Sequence, residues 1–324
     1  MFLRLLILLF VVATLTGSIS AQNLVPNGDF ETFTECPDNL DQFSNASGWI
    51  PYRGTPDYFN ACNVTNYVGT PLNLTNGFQF PLSGNGYGGF IGLEYNNNRE
   101  IMGTELISPL VVGQEYYVEF YWSRTFGGLA HSNCDCASSH LGALFSTHSY
   151  DNINDIIPVT NSAHVYDPTL LVDSTNWVKI SGWFTADSAY THLAIGDFFD
   201  LENNEVAYYN GTSETLFLNT YYYIEDVCVA TDPAMCGVVS TSESIDKNKG
   251  TSLFPNPALT VLNIDTDFSI VSISITSLDG KQLLSYHSTS TQIDISGLAP
   301  GIYIIILKTK RGSIRRKFIK NNSL

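Results

Sequence analysis

The sequence predicts an all-β protein, a jelly-roll β-sandwich followed by a small Ig-like β-sandwich. Apolar and polar residues alternate in many short segments, which is the pattern of half-buried strands. Clusters of glycine and asparagine separate these segments, as turns do. Almost no segment among the 324 residues has the period of an amphipathic helix, so packed antiparallel sheets are the expected architecture.

The first 21 residues have the organisation of a secretory signal peptide. Arg4 supplies a positive charge, an apolar segment runs from Leu5 to Val12, and small residues precede an expected cleavage after Ala21. The apolar segment is shorter than a typical membrane-spanning helix. We therefore expect an exported mature chain without a transmembrane segment.

A polar segment, residues 239–251, divides the mature chain into two predicted domains, 22–238 and 252–324. It lacks aromatic residues and lies between two strand-rich regions, as a linker does. Ten of the 15 Lys and Arg residues lie from Lys247 onward, whereas 27 of the 31 Asp and Glu residues precede Ser252. So acidic an N-terminal domain disfavours nucleic acid, and we expect no nucleic-acid partner; it suits solubility and cation binding.

Alternation predicts six strands in the N-terminal domain. They are Gly88–Leu93, Tyr116–Arg124, Leu141–Ser146, Trp177–Thr185, His192–Phe199 and Tyr221–Ala230. The region from Asp38 to Gln79 is aromatic but has no regular pattern, so we expect extended loops there.

The C-terminal domain alternates too, as in Val271, Ile273 and Ile275. Asp279-Gly280 is typical of a hairpin turn, and a second turn at 298–301 leads into another apolar segment. The length of this region fits a compact sandwich.

Short motifs in the C-terminal domain follow one another in a recognisable order. They are Phe254–Pro257, Asp279–Lys281, Leu298, Pro300-Gly301, Tyr303 and Lys317–Lys320. In these motifs the domain resembles the C-terminal sorting domain of the type IX secretion system of the Bacteroidetes. The resemblance implies that the domain is a targeting signal recognised by outer-membrane export machinery. It also implies that the domain has no catalytic role and is usually removed outside the cell. It implies a protein that is secreted or lies at the outer cell surface.

Motifs also bracket the N-terminal domain. They are Asn23–Glu31 at its start, Tyr221–Val227 at its end and, between them, Gly54–Phe59, Leu106–Tyr117, Thr175–Trp177 and Ile195–Asp200. In these motifs the domain resembles the jelly rolls of carbohydrate-binding modules, also described as galactose-binding-like domains. The resemblance implies that the two bracketing segments are the first and last strands.

The same resemblance implies a structural Ca²⁺ between the first and last strands, with Asp29, Glu31 and Asp226 as its carboxylate ligands. Ca²⁺ takes six to eight oxygen ligands from carboxylates and carbonyls. Because strand neighbours point to opposite faces, at most one of Glu225 and Asp226 should face such a site. The alternative is that these carboxylates are solvated or hydrogen-bonded within the protein.

Six cysteines in an exported chain are expected to form disulfides. Sequence leaves fifteen connectivities open. We predict Cys36–Cys62, which would hold the irregular aromatic region, and Cys228–Cys236, which would clamp the end of the last strand.

Cys134 and Cys136 are then either bridged to each other or free. With His131 and His140 they also offer the ligand types of a zinc site. The spacing matches no common zinc motif, and oxidation competes for the thiols.

Aromatic and polar residues in the first half of the chain suit a glycan site, because sugar rings stack on aromatic faces while Asp and Arg bind hydroxyls. The candidate ligand-binding residues are Trp49, Tyr52, Arg53, Asp57, Tyr58, Tyr95 and Arg99. The alternative for each aromatic residue is burial in the sandwich core.

The sequence favours a binding protein over an enzyme, since it contains no G-x-S-x-G or H-E-x-x-H motif and no recognisable triad. A pair of facing carboxylates, as in glycosidases, would leave no sequence motif, because the fold alone forms it. We predict a non-catalytic protein that binds a glycan or surface polymer and is exported by the secretion machinery. A structural or adhesive surface component and a secreted hydrolase are the alternatives.

Overall fold

The computed structural model describes residues 22–65, 67–73, 77–125, 136–209, 219–236, 251–266, 268–277, 281–286, 291–309 and 312–321. The predicted signal peptide, nearly all of the predicted linker, His131, Cys134 and the Asp279-Gly280 turn lie outside these residues. No helix in the described ranges is long and apolar enough to cross a membrane.

The N-terminal domain is a sandwich of two five-stranded sheets, which confirms the predicted class. Sheet A contains, in spatial order, β1 (Trp49–Arg53), β6 (Ile101–Glu105), β12 (His192–Asp197), β9 (Leu141–Ser146) and β10 (Val165–Asp167). Sheet B contains β11 (Val178–Thr185), β7 (Glu115–Arg124), β14 (Asn219–Ala230), β5 (Gly86–Glu94) and β2 (Asp57–Asn60). The short strands β3 (Leu72–Asn73), β4 (Gly77–Phe78), β8 (Cys136–Ser138) and β13 (Val206–Tyr208) lie outside these sheets.

The six predicted strands are confirmed, each with ends within two residues of the prediction. The prediction of loops throughout 38–79 was wrong, because β1 and β2 form an edge of each sheet. β2 buries all four of its side chains, so it carries no alternation that the sequence could reveal.

The segment Asn23–Glu31 forms turns rather than the predicted first strand. Asn27 and Phe30 adopt left-handed backbone angles, with φ of 51° and 57°, which interrupts an extended chain. Its predicted position beside the last strand is nevertheless right. The N–H of Leu24 donates to the carbonyl of Val229 at 2.7 Å, and the N–H of Val227 donates to the carbonyl of Gly28 at 2.9 Å.

The core of the sandwich comes from the inner faces of both sheets. On β7, Val118, Phe120 and Trp122 point inward and meet residues such as Leu193 and Ile195 of β12. The alternation that predicts these strands therefore separates the core face from the outer face.

The outer face of sheet B has two halves. The covered half lies beneath the segments 60–65, 67–73 and 77–82, where Phe59, Tyr87, Tyr221 and Tyr223 are buried. The open half is formed by outward residues of β7 and β11. An outer face divided in this way leaves one continuous stretch of strand surface available to a partner.

The C-terminal domain is a second, smaller sandwich. One sheet contains β15 (Thr251–Phe254), β16 (Val261–Thr266) and β19 (Gln292–Asp294), and the other contains β18 (Gln282–Tyr286), β17 (Ile270–Thr276), β20 (Gly301–Thr309) and β21 (Gly312–Lys320). Val271 is exposed despite its place in the alternating pattern, because the pairing register shifts between Ile270 and Ser272.

Both predicted disulfides are confirmed: Cys36 is bonded to Cys62, and Cys228 to Cys236. Cys136 is also disulfide-bonded, which contradicts the zinc alternative because a zinc ligand must be a free thiolate. The described residues contain no free cysteine.

We predict that replacing Cys36 and Cys62 by alanine costs more stability than replacing Cys228 and Cys236. The bridges span sequence separations of 26 and 8 residues. Loop-closure entropy then gives about 3.5 and about 2.5 kcal/mol, respectively. Urea unfolding of the two double variants measures both free energies, and the reverse order would show that loop length does not determine their contributions.

Candidate functional site

Three predicted ligand-binding aromatics, Trp49, Tyr52 and Tyr58, lie in the hydrophobic interior. The Trp49 indole stacks on Phe30 with ring centroids 4.9 Å apart. The Tyr58 hydroxyl donates to the Phe30 carbonyl at 2.7 Å. The predicted ligand contacts of these three residues are therefore wrong. Trp49 and Tyr58 point into the sandwich core, whereas Tyr52 is buried on the outer face of sheet A beneath Ile157 and Phe198.

Arg99 is fully buried, so the predicted ligand contact is wrong for it as well. Its Nη1 donates to the carbonyls of Asp197 and Phe199 and lies 3.5 Å from the Asp197 carboxylate. Burial lowers the pKa of Arg99, opposed by Asp197, and burial raises the pKa of Asp197 to about 7. The guanidinium serves to join β12 to the chain that follows β5.

Asp57 is buried in a carboxyl cluster with Glu100, which the sequence did not single out. Asp57 accepts hydrogen bonds from the Tyr221 hydroxyl and, at 2.7 Å, from the N–H of Asp41. Glu100 accepts from the N–H of Thr55 at 3.0 Å and that of Ile91 at 2.8 Å. Every carboxyl oxygen has a protein donor, so this pair stabilises the fold and is not placed for the predicted ligand contact.

Two predicted ligand-binding residues remain accessible, and their role stays a prediction. Tyr95 is 51% exposed in the turn after β5. Arg53 is half-buried, and its Nη1 lies 3.5 Å from the Ile157 carbonyl. The seven predicted residues do not form one surface.

Two of the acidic residues near the chain start and the last strand hold the segment 82–86. Glu31 accepts from the N–H groups of Asn85 at 2.6 Å and Gly86 at 2.8 Å. Glu225 accepts from the N–H groups of Leu82 at 2.5 Å and Ser83 at 2.6 Å. Their oxygens are thus already hydrogen-bonded within the protein.

Asp226 sits in a bulge of β14 with φ of 50°. The Ser83 hydroxyl lies 3.1 Å from Asp226 and 3.2 Å from Glu225, so the alternation that should separate the two carboxylates fails here. One buried oxygen of Asp226 has no hydrogen-bond partner. Burial raises the pKa of Asp226 to about 7, with Asp29 among the charges that add to the shift.

Among the residues that the structure describes, no group of three or more His, Cys, Asp or Glu side chains is placed to hold a metal ion. The charges of Asp29 and Glu31 act on Asp226, but the three residues do not form such a group. The predicted calcium site therefore stays a prediction.

The open half of sheet B carries an exposed aromatic pair. Trp183 of β11 lies directly opposite Tyr117 of β7 in the strand pairing. The ring centroids are 5.3 Å apart with the planes at 58°. Trp183 is 51% exposed and Tyr117 is half-buried, so solvent reaches an apolar ring surface on a rigid strand.

Polar groups lie next along the same two strands. The Lys179 ammonium forms an ion pair with Glu119 at 3.2 Å. The Tyr117 hydroxyl donates to the same carboxylate at 3.0 Å. We call Tyr117, Glu119, Tyr121, Lys179 and Trp183 together the Trp183 platform.

The Trp183 platform combines aromatic ring surface with hydrogen-bonding groups. The donors are Tyr117 and Lys179, and the acceptor is the Glu119 carboxylate, which both of them contact. Burial and the Glu119 charge raise the pKa of Tyr121, so this residue presents a neutral hydroxyl. The alternation of polar and apolar residues places Tyr117 and Trp183 on the solvent-facing side of their strands. The register that places them side by side depends on strand pairing, which the sequence alone does not give.

We predict that stability falls as pH rises from 5 to 9 and that Glu100→Gln reduces this fall. Burial, together with the Asp57 charge, raises the pKa of Glu100 from 4.5 to about 8. The folded state therefore favours the protonated carboxyl, and its contribution, complete below pH 4.5, is lost as pH approaches 8.

Glu100→Gln should lower stability at pH 5 by about 1 kcal/mol through one lost acceptor. It should reduce the fall between pH 5 and 9 by on the order of 2 kcal/mol. Glu115→Gln, at an exposed position, is the matched control and should keep the wild-type profile. Urea unfolding at each pH measures this, and parallel profiles for all three proteins would refute the assignment.

Three solved structures show distant likeness to the chain. One is endo-1,4-beta-D-xylanase 10B of Clostridium thermocellum, whose CBM22-1 and GH10 modules are complexed with xylohexaose (TM-score 0.33, 12% identity, covering 69% of this chain and 30% of that one). Another is the enzymatically active domain of tailspike protein 4 of bacteriophage CBA120 (TM-score 0.27, 14% identity, 64% and 21%). The third is PorZ, a type-IX secretion system surface component of Porphyromonas gingivalis (TM-score 0.21, 20% identity, 25% and 12%).

The matched regions cover between 12% and 30% of those chains. TM-scores this low do not support an inference about activity. No curated protein matches the chain.

The C-terminal domain does match a family, described as "Secretion system C-terminal sorting domain", over residues 252–321. This confirms the resemblance seen in the sequence motifs and indicates an interaction with the type IX export machinery. Residues 252–321 are a type IX sorting domain, which implies secretion and attachment at the outer surface.

Proposed function

We propose that the N-terminal domain binds a neutral carbohydrate polymer on the Trp183 platform and is not an enzyme. The observation that carries the proposal is the exposed pair of Trp183 and Tyr117 on neighbouring strands, 5.3 Å apart. Aromatic faces give stacking surface for the C–H face of a sugar, and they lose little side-chain freedom on binding.

Polar groups beside the aromatic pair supply the hydrogen bonds that a sugar edge requires. Lys179 and Glu119 neutralise each other at 3.2 Å, so the platform itself has little net charge. The surrounding domain is strongly acidic, which disfavours an anionic polysaccharide through repulsion. A neutral glycan fits both features.

The buried carboxyl pair of Asp57 and Glu100 is not placed for glycosidase chemistry. Asp57 and Glu100 are both inaccessible and fully hydrogen-bonded. A glycosidase pair must instead reach opposite sides of a scissile bond.

We predict that Trp183→Ala weakens binding to the best ligand on a glycan array by about thirtyfold, since truncating an aromatic anchor costs roughly 2 kcal/mol. Tyr117→Ala should weaken binding as well, because it removes the ring against which Trp183 packs. Titration calorimetry of each variant measures the affinity.

The matched control is Tyr95→Ala, because Tyr95 is as exposed as Trp183 but lies in a turn outside the platform. It should bind like the wild type. Loss of binding in Tyr95→Ala but not in Trp183→Ala would move the site to the originally predicted residues. A blank array, with calcium present, would favour the structural or adhesive alternative.

A structural Ca²⁺ near the last strand is a separate part of the proposal. The unpaired buried oxygen of Asp226 and its electrostatic coupling to Asp29 and Glu31 support it. Ca²⁺ should raise the melting temperature of the wild type and leave Asp226→Asn unchanged. An equal rise in melting temperature in both proteins would place the ion elsewhere. No rise in either protein would contradict a calcium site.

A further inference from the structure

We propose that the N-terminal domain carries a docking surface for its own sorting domain, with Lys317 as the anchor. The docking surface consists of residues 78–82, which follow from β4, and residues 173–177, which precede β11. The partner is the basic last strand β21 with the Phe254–Pro257 motif beside it. This inference is independent of carbohydrate binding.

Lys317 enters the docking surface almost completely. Only 2% of the residue is exposed, and its ammonium donates to the carbonyl of Phe78 at 2.9 Å. Burial lowers the pKa of Lys317 to about 7, and the Asp173 charge opposes this shift. Lysine is almost never fully buried without a partner, so the buried contact between the domains indicates a specific interface.

Asn256 supplies a second contact from the sorting domain. Its side-chain amide donates to the Thr175 hydroxyl at 3.1 Å, and its carbonyl oxygen accepts from the N–H of Ile319 at 2.8 Å. Asn256 therefore joins β21 to the N-terminal domain. Lys317 and Asn256 both lie in motifs that identify the sorting domain, so these motifs face the N-terminal domain.

The docking surface is held by bonds within the N-terminal domain. The Trp177 indole donates to the Phe80 carbonyl at 2.7 Å. Asp173 accepts from the N–H groups of Thr175 and Asn176, each at 2.8 Å. Both segments are therefore fixed before docking, which lowers the entropy cost of association.

Charge complements this geometry. Arg315 and Arg316 line a cavity of about 230 Å³ beside Lys317, with Phe80 and Trp177 among the residues on its other side. The basic strand thus meets a strongly acidic domain. Trp183 lies six residues beyond Trp177, about 20 Å along β11, and it is 51% exposed with the sorting domain docked.

Acetylation of lysines in the purified full chain, followed by mass spectrometry, tests the docking. Lys281 and Lys308 are exposed and provide the reference rate for N-hydroxysuccinimide acetate. Lys317 should react at least about tenfold more slowly, because labelling requires the interface to open. Burial is the main cause of the lowered pKa of Lys317, so an undocked Lys317 would be an ordinary exposed lysine and would react at about the reference rate. Slow labelling therefore reports on docking.

Thr175→Arg should raise the labelling rate of Lys317 to about the reference rate, because the new charge repels Arg316 and Lys317. Thr185→Arg, at the far end of β11, is the matched control and should leave Lys317 protected. Labelling of wild-type Lys317 as fast as Lys308 would overturn the proposal. So would protection that persists in Thr175→Arg, because Lys317 would then be shielded by the sorting domain alone.

Discussion

The buried carboxylate of Glu225 is the interaction on which the outer face of sheet B depends. It accepts hydrogen bonds from the N–H groups of Leu82 and Ser83 and thereby fixes the end of the segment that covers half of that face. Without this cover, the tyrosines of β5 and β14 would meet water. The same fixed segment contains Phe80 and provides one side of the docking surface, so one carboxylate shapes both the covered half and the interface.

The open half differs from the covered half in the exposure of its outward aromatic side chains. Tyr221 and Tyr223 on β14 are buried beneath the covering chain, whereas Trp183 on β11 remains in solvent. The exposed Trp183 packs against a tyrosine and is bordered by the Lys179–Glu119 ion pair, which combines apolar ring surface with a polar rim. The polymer proposed here would cover that surface while the sorting domain occupies the opposite end of β11.

Much of the fold was predictable because local patterns carry it, as in β7, where alternating residues divide into core and surface. Elements that escaped prediction lack such patterns: β2 buries every side chain, and bulges at Asp226 and Val271 shift the register. The candidate site was missed for a related reason. Tyr117 and Trp183 lie far apart in sequence and meet only through strand pairing, whereas Trp49, Tyr52 and Tyr58 are buried, Tyr52 on the outer face of sheet A and the other two in the core. Each predicted disulfide joins cysteines that are consecutive in the sequence, but only the fold selects these pairings from the fifteen that the sequence leaves open.

Hydroxyl-radical footprinting of the full chain, with and without an oligosaccharide that the array identifies, tests the central claim most directly. The account predicts protection of Trp183 and Tyr117 on binding, with no change at Tyr95 or at Tyr166, which are similarly exposed elsewhere. Protection at Tyr95 with Trp183 unchanged would contradict the account, because the ligand would then lie on a turn rather than on the open half of sheet B.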